Sequence, residues 1–345
     1  MRWLSRFSAP VFDRIRNESG AVIVFVAVAM VALLAMTAFV IDFGRIWQER
    51  RELQGGATAG VLAVAEDCAR DLCDLVYNEL ATAEIYADAN AIDGAASVFD
   101  IDLDLTDQTV RVVTATENTA GGNTLHMMFA GIVGFGDITV GADAAAAWGT
   151  PLGAATLPLI ISDCEWLKTD PGWPGGSAAL PDSGANLSGF PMATIYLHEG
   201  PFVPEEMCTI QPGLDLPGGF GWIDTSGTCV SEVLAGGLIG ADPGNPPPNS
   251  CSPADFAELL GKPVAIPYFS ETTGQGNIGD YRVASLAAFV IDGYDFGGQY
   301  QGGSVSCGPA TSCLTGWFVN HVSNGGAPGD LGGDPRGFTV IKLIG

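Results

Sequence analysis

Residues Ala21–Phe43 read AVIVFVAVAMVALLAMTAFVIDF, an apolar run with no charge before Asp42. As a helix its 23 residues rise about 34 Å, against a bilayer hydrocarbon core of about 30 Å. No second run of this kind follows in the 345 residues. The chain therefore reads as a single-span membrane protein with about 300 residues on one side of the bilayer.

Working outward, Arg2, Arg6, Arg14 and Arg16 precede the run, and Arg45, Arg50 and Arg51 follow it, interleaved with Glu49 and Glu52. Four cations against three favour a cytoplasmic N-terminus by the positive-inside tendency. A cleavable secretory signal would have a shorter apolar region, ~7–15 residues, closed by a small-x-small site. The sequence after the run, DFGRIWQERRELQ (Asp42–Gln54), has no such site, so the run reads as a retained anchor.

Eight cysteines, Cys68, Cys73, Cys164, Cys208, Cys229, Cys251, Cys307 and Cys313, form an even set. Disulfides persist in oxidising compartments, which fits an extracytoplasmic C-terminal bulk; eight scattered buried thiols are the alternative. Cys307 and Cys313 bracket Gly308-Pro309, a turn that can bring them within bonding reach. On a continuous helix the Cα atoms of Cys68 and Cys73 would lie about 8.6 Å apart, beyond the ~7 Å limit, so their pairing requires the helix to break there. Nearest-in-sequence pairing joins Cys164 to Cys208 and Cys229 to Cys251, one of many connectivities that eight cysteines allow.

The formal charge is −25, with only 14 Lys+Arg and a pI near 4.1. Such a chain has no electrostatic footprint for nucleic acid, so nucleic-acid binding is rejected. Beyond the span, Arg45 to about Ala69 continues in helical spacing through Ile46, Leu53, Ala57, Val61 and Val64. Gly56 and Gly60 make a small-residue packing face whose partner helix the sequence leaves open. Asn78–Ile92 reads as a second helix, and Val98–Leu105 and Thr109–Thr116 as two strands joined at Thr106–Gln108. In the first strand the residues Phe99, Ile101, Leu103 and Leu105 alternate with Asp100, Asp102 and Asp104, which implies one wet face. A helix or turn over Leu125–Ile132 should lead into a strand near Ile138–Val140. From Pro151 onward glycines and prolines separate short apolar runs such as Leu157–Ile161, Val264–Tyr268 and Leu286–Ile291, the texture of a β-rich domain. The expected architecture is α+β: residues 1–20 cytoplasmic, 21–43 spanning, 44–150 an α/β stem, and 151–345 a disulfide-braced β-rich domain.

The N-terminal block resembles the TadE/TadG-like family of Flp (tight-adherence) pilus-assembly proteins. The resemblance rests on Glu18-Ser19-Gly20 before the span, Asp42-Phe43-Gly44 at its end, Leu53-Gln54, and the alanine-rich Ala57–Ala65. Looser likeness to a TadG-related subgroup runs through Met128-Phe129-Ala130, Trp148-Gly149, Leu157–Glu165, Gly218–Asp224 and Tyr281–Tyr294. Two positions depart from the family: Gly55-Gly56 follows Gln54 where alanines and an aspartate are usual, and Phe25 stands where prepilin-type substrates carry a glutamate. The resemblance implies an uncleaved anchor and a role in building or coupling a Flp-type pilus or a related envelope assembly. Gly20, Asp42, Gly44, Leu53, Gln54, Gly56 and Gly60 are its anchor and packing positions, with the span and the alanine-rich helix associating with partner subunits. Asp42 is expected to pair with Arg45 or Arg50, or to contact another subunit in the membrane.

Signatures of chemistry are weak. Asp100-x-Asp102-x-Asp104 has calcium-like spacing but Leu105 and Arg111 stand where an EF-hand needs glycine and glutamate. Asp224-Thr225-Ser226-Gly227-Thr228 is similar both to the metal-adhesion motif of von Willebrand A domains and to the Asp-Thr-Gly loop of aspartic proteases, and lacks the surroundings of either. His126, His198 and His321 are dispersed, with no H-E-x-x-H, G-x-S-x-G or P-loop. No catalytic, cofactor or metal residues are assigned, and a small-molecule ligand is not expected. A convergence of Asp163, Asp224 and Asp292 would change that reading. The competing function is a surface adhesin or carbohydrate-binding head using Trp166, Trp173, Trp222 and Trp317.

Overall fold

A computed structural model describes residues 15–70, 72–73, 76–92, 94–118, 121–134, 136–163, 165–166, 180–197, 208–211, 214–216, 219–242, 244, 246–275, 278–305, 307, 312–323 and 330–344. The apolar run lies within one continuous helix, α1 (Ile15–Ala69), of 55 residues. Alanine, leucine, methionine and arginine recur along it and no proline interrupts it, so the apolar run and its extension form one helix about 82 Å long. Within its apolar part the large side chains from Val22 to Leu34 are 52–78% exposed. It is the one helix among the described residues that is long and apolar enough to cross a membrane. The chain packs as two units: one from the described parts of 1–60, 83–100 and 112–143, the other from those of 61–82, 101–111 and 144–345.

In the first unit, helix α2 (Val76–Asn90) runs antiparallel to α1, since Gly56 faces Ala87 while Gly60 faces Ala83. A Cβ at Gly56 would stand 3.1 Å from the Ala87 Cα, and one at Gly60 would stand 3.2 Å from the Ala83 carbonyl oxygen. The partner helix left open by the sequence is thus in the same chain, and the glycines are what allow the two backbones so close. Strand β1 (Ala96–Asp104) and strand β2 (Thr109–Thr116) follow. Phe99, expected on the covered face of β1, is 72% exposed. β1 is an edge strand: Ala96 and Val98 are buried at its start, Phe99 and Asp100 are both exposed, and beyond them Ile101 and Leu103 are half-buried between exposed aspartates. The expected strand near Ile138–Val140 is reduced to a bridge between Ile138 and Leu125, and the regular strand, β3 (Gly141–Gly149), starts just after.

The second unit holds most of the β-structure. Its remaining strands are β4 (Gly153–Thr156), β5 (Leu159–Ser162), β6 (Ala193–Tyr196), β7 (Cys208–Gln211), β8 (Leu214–Leu216), β9 (Phe220–Trp222), β10 (Ser231–Leu234) and β11 (Leu238–Gly240). After the short helix α3 (Pro253–Ala257) come β12 (Pro263–Gln275), β13 (Ile278–Asp295), β14 (Gln301–Gly303), β15 (Cys313–Phe318), β16 (His321–Ser323) and β17 (Phe338–Ile344). The main sheet has the order β6-β15-β13-β12-β5-β9, built on the long β12–β13 hairpin, with β11 and β14 also paired to β13. A second sheet places the later ends of β1 and β3 and the start of β2 with β17 and β16, in the order β1-β2-β3-β17-β16.

Strand β13 shows why its sequence reads as an unbroken apolar run. Ala287, Phe289 and Ile291 point into one core with Trp222, Phe256 and Phe296. Leu286, Ala288 and Val290 point the other way, into a second core with Phe338 and Val340 of β17. A strand covered on both faces needs apolar residues at every position.

Candidate functional site

Of the packing residues expected on α1, Asp42, Leu53, Gln54, Gly56 and Gly60 each meet a later part of the first unit. Asp42, at the end of an exposed apolar surface, is itself only 4% exposed. Its carboxylate accepts hydrogen bonds from three successive backbone N–H groups, with Met128 N at 3.0 Å, Phe129 N at 3.0 Å and Ala130 N at 2.6 Å. These N–H groups open a 3-10 turn (Ala130–Val133), whose first donors have no partner inside the turn. A carboxylate there makes charge-assisted hydrogen bonds. The expectation that Asp42 pairs with Arg45 or Arg50 is therefore corrected: its partners are backbone amides 86–88 positions away in sequence. Arg45 instead donates to the His126 carbonyl, 2.9 Å, two residues before Met128 in the same loop.

Further along α1, Leu53 is buried, 2% exposed, and its carbonyl accepts the Thr114 hydroxyl at 3.0 Å. The Gln54 amide donates to the Asp143 carbonyl, 2.9 Å. Gly56 and Gly60 take the backbone of α2 as described above. Gly20 and Gly44 have open space where a side chain would project. One helix surface thus fastens the loop over 125–138, strand β2, strand β3 and helix α2.

The loop fastened by Asp42 was not singled out from the sequence as a unit. Its two ends are closed by the Leu125–Ile138 bridge and by the His126 Nδ1–Asp137 Oδ1 contact, 3.0 Å. A signal was present: His126 and Asp137 bracket MMFAGIVGFG, ten residues without a charge.

Three cysteine pairs are bonded: Cys68–Cys73, Cys229–Cys251 and Cys307–Cys313, with Cα separations of 4.3, 4.5 and 5.6 Å. Helix α1 ends at Ala69, the break that the first pair requires. Cys164 and the side chain of Cys208 lie outside the described residues. Glu79 approaches Cys68 and Cys73 closely enough to suggest a metal site, but the two sulfurs are bonded to each other and offer no thiolate.

Asp163, Asp224 and Asp292 do not converge. β5 and β9 are antiparallel with Ile161 opposite Phe220 and Leu159 opposite Trp222. Asp163 and Asp224 therefore leave that pair at opposite ends, about 20 Å apart at strand rise. Asp292 lies beyond the Pro263–Val290 pair of the hairpin, while Asp163 lies level with the residue after Phe269, again roughly 25 Å away. Asp163 instead meets Arg336, Nη2 to Oδ1 at 3.3 Å. The Arg336 guanidinium packs over the rings of Trp166 (5.2 Å) and Tyr268 (5.1 Å), and its Nε donates to the Tyr268 hydroxyl at 3.2 Å. Burial pushes the Asp163 carboxyl above its ordinary value, Arg336 pulls it down and Asp334 pushes it up, with burial dominant. This cluster ties the chain before β17 to the main sheet.

Of the tryptophans proposed for sugar stacking, Trp166 and Trp222 are core residues at 7% and 1% exposure. Trp317 is half-buried and donates its indole N–H to the Phe190 carbonyl at 3.2 Å. Trp173 and His198 lie outside the described residues. In the Asp224 segment the Asp224 carbonyl accepts the Ser231 hydroxyl, 2.6 Å, and the Thr225 hydroxyl accepts that of Ser250, 2.9 Å. The Ser226 hydroxyl donates to the Val230 carbonyl, 3.1 Å, so Thr225 and Ser226 are engaged within the fold, holding the turn before Cys229.

Comparison with known proteins gives one match. Residues 20–67 fit the family described as putative Flp pilus-assembly TadE/G-like. No curated protein and no solved structure matches the chain. The matched stretch begins at Gly20 and ends just before Cys68, so it covers the apolar part of α1 and every fastening position along it. Residues 20–67 are thus similar to the putative Flp pilus-assembly TadE/G-like family, and they lie wholly within α1.

Proposed function

We propose that this chain is a single-pass structural subunit of a Flp-type pilus-assembly apparatus or a related envelope assembly, of the TadG-related kind. Residues 1–20 face the cytoplasm, 44–150 form a stem, and 151–345 form a disulfide-braced β-rich head outside the membrane. The observation that carries the reading is the coincidence of the TadE/G-like match with a helix whose apolar stretch has no cover among the described residues. The α2-facing side of α1 is filled, so the surface left for partner subunits is the span. The role is assembly by packing rather than catalysis: Gly20, Asp42, Gly44, Leu53, Gln54, Gly56 and Gly60 shape the anchor and fix the stem on it. A photo-crosslinking residue at Leu33 or Phe39, both well exposed, tests this in the native envelope. Adducts with another pilus-assembly membrane subunit support the proposal; adducts with lipid alone at every span position overturn it.

A further inference from the structure

The loop clasped by Asp42 has a composition that water does not explain. Between His126 and Asp137 no residue is charged, and six of the ten are large and apolar: Met127, Met128, Phe129, Ile132, Val133 and Phe135. Met128 is 57% exposed and Ile132 is 81% exposed. A loop closed at its base with large apolar side chains at its tip has no gain from facing water, since each such side chain forgoes the free energy of burial.

The location of the loop along α1 supplies the missing solvent. The apolar stretch Ala21–Ile41 is 21 residues, about 31 Å of helix, which matches the ~30 Å hydrocarbon core. Asp42 then stands at the edge of that core, and its carboxylate holds Met128, Phe129 and Ala130 at the same level. Trp47, 63% exposed, lies five residues further on, about 7.5 Å outward, in the headgroup zone where tryptophan is enriched. Phe39 and Phe43, exposed by 69% and 58%, stack on each other at 6.0 Å and continue the apolar surface of the helix to this level. The polar side chains at the two ends of the loop, His126 and Asp137, sit together at its base.

We infer that the 127–134 loop is a second membrane contact, inserting Met128 and Ile132 into the boundary between lipid headgroups and acyl chains beside the span. The occupant of this surface is the bilayer, because the loop is held level with the end of the span by hydrogen bonds to that same helix. Asp42 thereby acts twice: it ends the apolar run, and it converts a one-point anchor into a two-point one that limits tilt and rotation of the helix.

The inference rests on α1 spanning a bilayer, and the test separates the two claims. Full-length oxidised protein is reconstituted in phosphatidylcholine vesicles with an environment-sensitive fluorophore on a single added cysteine, Ile132→Cys, Leu33→Cys or Ile85→Cys. All three side chains are exposed, at 81%, 64% and 67%, so none of the changes threatens the fold. Ile85 belongs to α2, whose Ala83 packs on Gly60, 18 residues beyond Asp42 and so about 27 Å outward. The expected result is that the Ile132 label loses most of its emission to nitroxides high on the acyl chain. The Leu33 label should be quenched by deep nitroxides, and the Ile85 label only by aqueous iodide. A Leu33 label quenched by lipid together with an Ile132 label quenched only by iodide overturns the loop insertion and leaves the span standing. A Leu33 label untouched by lipid nitroxides overturns both.

Discussion

Removing the Asp42 carboxylate, Asp42→Ala, should free the 127–134 loop without unfolding the rest of the chain. Three backbone N–H groups donate to it, at 3.0, 3.0 and 2.6 Å. A hydrogen bond to a charged group is worth about 1.5–3 kcal/mol, so three set a ceiling of about 4.5–9 kcal/mol. The loop is partly exposed and water can replace part of this on opening, which brings the expected local loss to about 3 kcal/mol. At 1.36 kcal/mol per decade that is an opening equilibrium raised about 150-fold. Hydrogen–deuterium exchange of the full-length protein in nanodiscs reads this directly as faster exchange in the peptide over 127–134. Peptides from β13, whose Leu286–Ile291 stretch is buried on both faces, are the internal control and should not change. Asp42→Asn keeps one acceptor oxygen and should fall between the two. Exchange in the loop peptide that is unaltered by Asp42→Ala would refute the clasp.

Gly56→Val places side-chain atoms where Ala87 stands 3.1 Å from a Cβ. Helix α2 should lift from α1, seen as protease cleavage in the 83–92 segment, while Gly44→Ala, which meets open space, should leave that segment protected. Replacing Cys229 and Cys251 together by serine opens a loop of 22 residues, and chain entropy puts the loss at about 3 kcal/mol of head stability, measurable as a lower thermal midpoint. Asp163 gives a pH dependence. Its carboxyl is raised in the folded chain above the ordinary 3.8, so the folded state holds the proton more tightly than the unfolded one. Stability from this group is greatest at low pH and is lost as pH rises through the interval between 3.8 and the raised value. Asp163→Asn should flatten that dependence in thermal melts taken across the interval, and an unchanged profile would contradict the burial assigned to Asp163.

Local pattern made much of this structure legible. The anchor followed from one apolar run, the hairpin of β1 and β2 from period-two alternation, and the end of α1 from the geometry that a Cys68–Cys73 bond demands. The double burial of β13 was visible as an unbroken apolar stretch from Leu286 to Ile291. Partners distant in sequence were not legible. Nothing near Asp42 points to amides 86–88 positions away, because a backbone N–H carries no residue signature. The order of the main sheet likewise interleaves strands from 159 to 318, and short runs bounded by glycine and proline carry no label for their neighbours. Gly56 and Gly60 announced a close approach, but small residues do not specify which backbone approaches. The charge-free stretch between His126 and Asp137 was readable, but its place beside Asp42 was not, because the hydrogen bonds that fix it run to backbone amides.

The central claim is an intact anchor with the chain beyond residue 44 outside the cytoplasm. It is tested by protease treatment of spheroplasts bearing the full-length protein tagged at both ends. The account predicts loss of the C-terminal tag and survival of the N-terminal tag on a membrane-bound fragment, with both tags destroyed only after lysis. A protected C-terminal tag in intact spheroplasts, or an N-terminal tag missing before any protease is added, would contradict it.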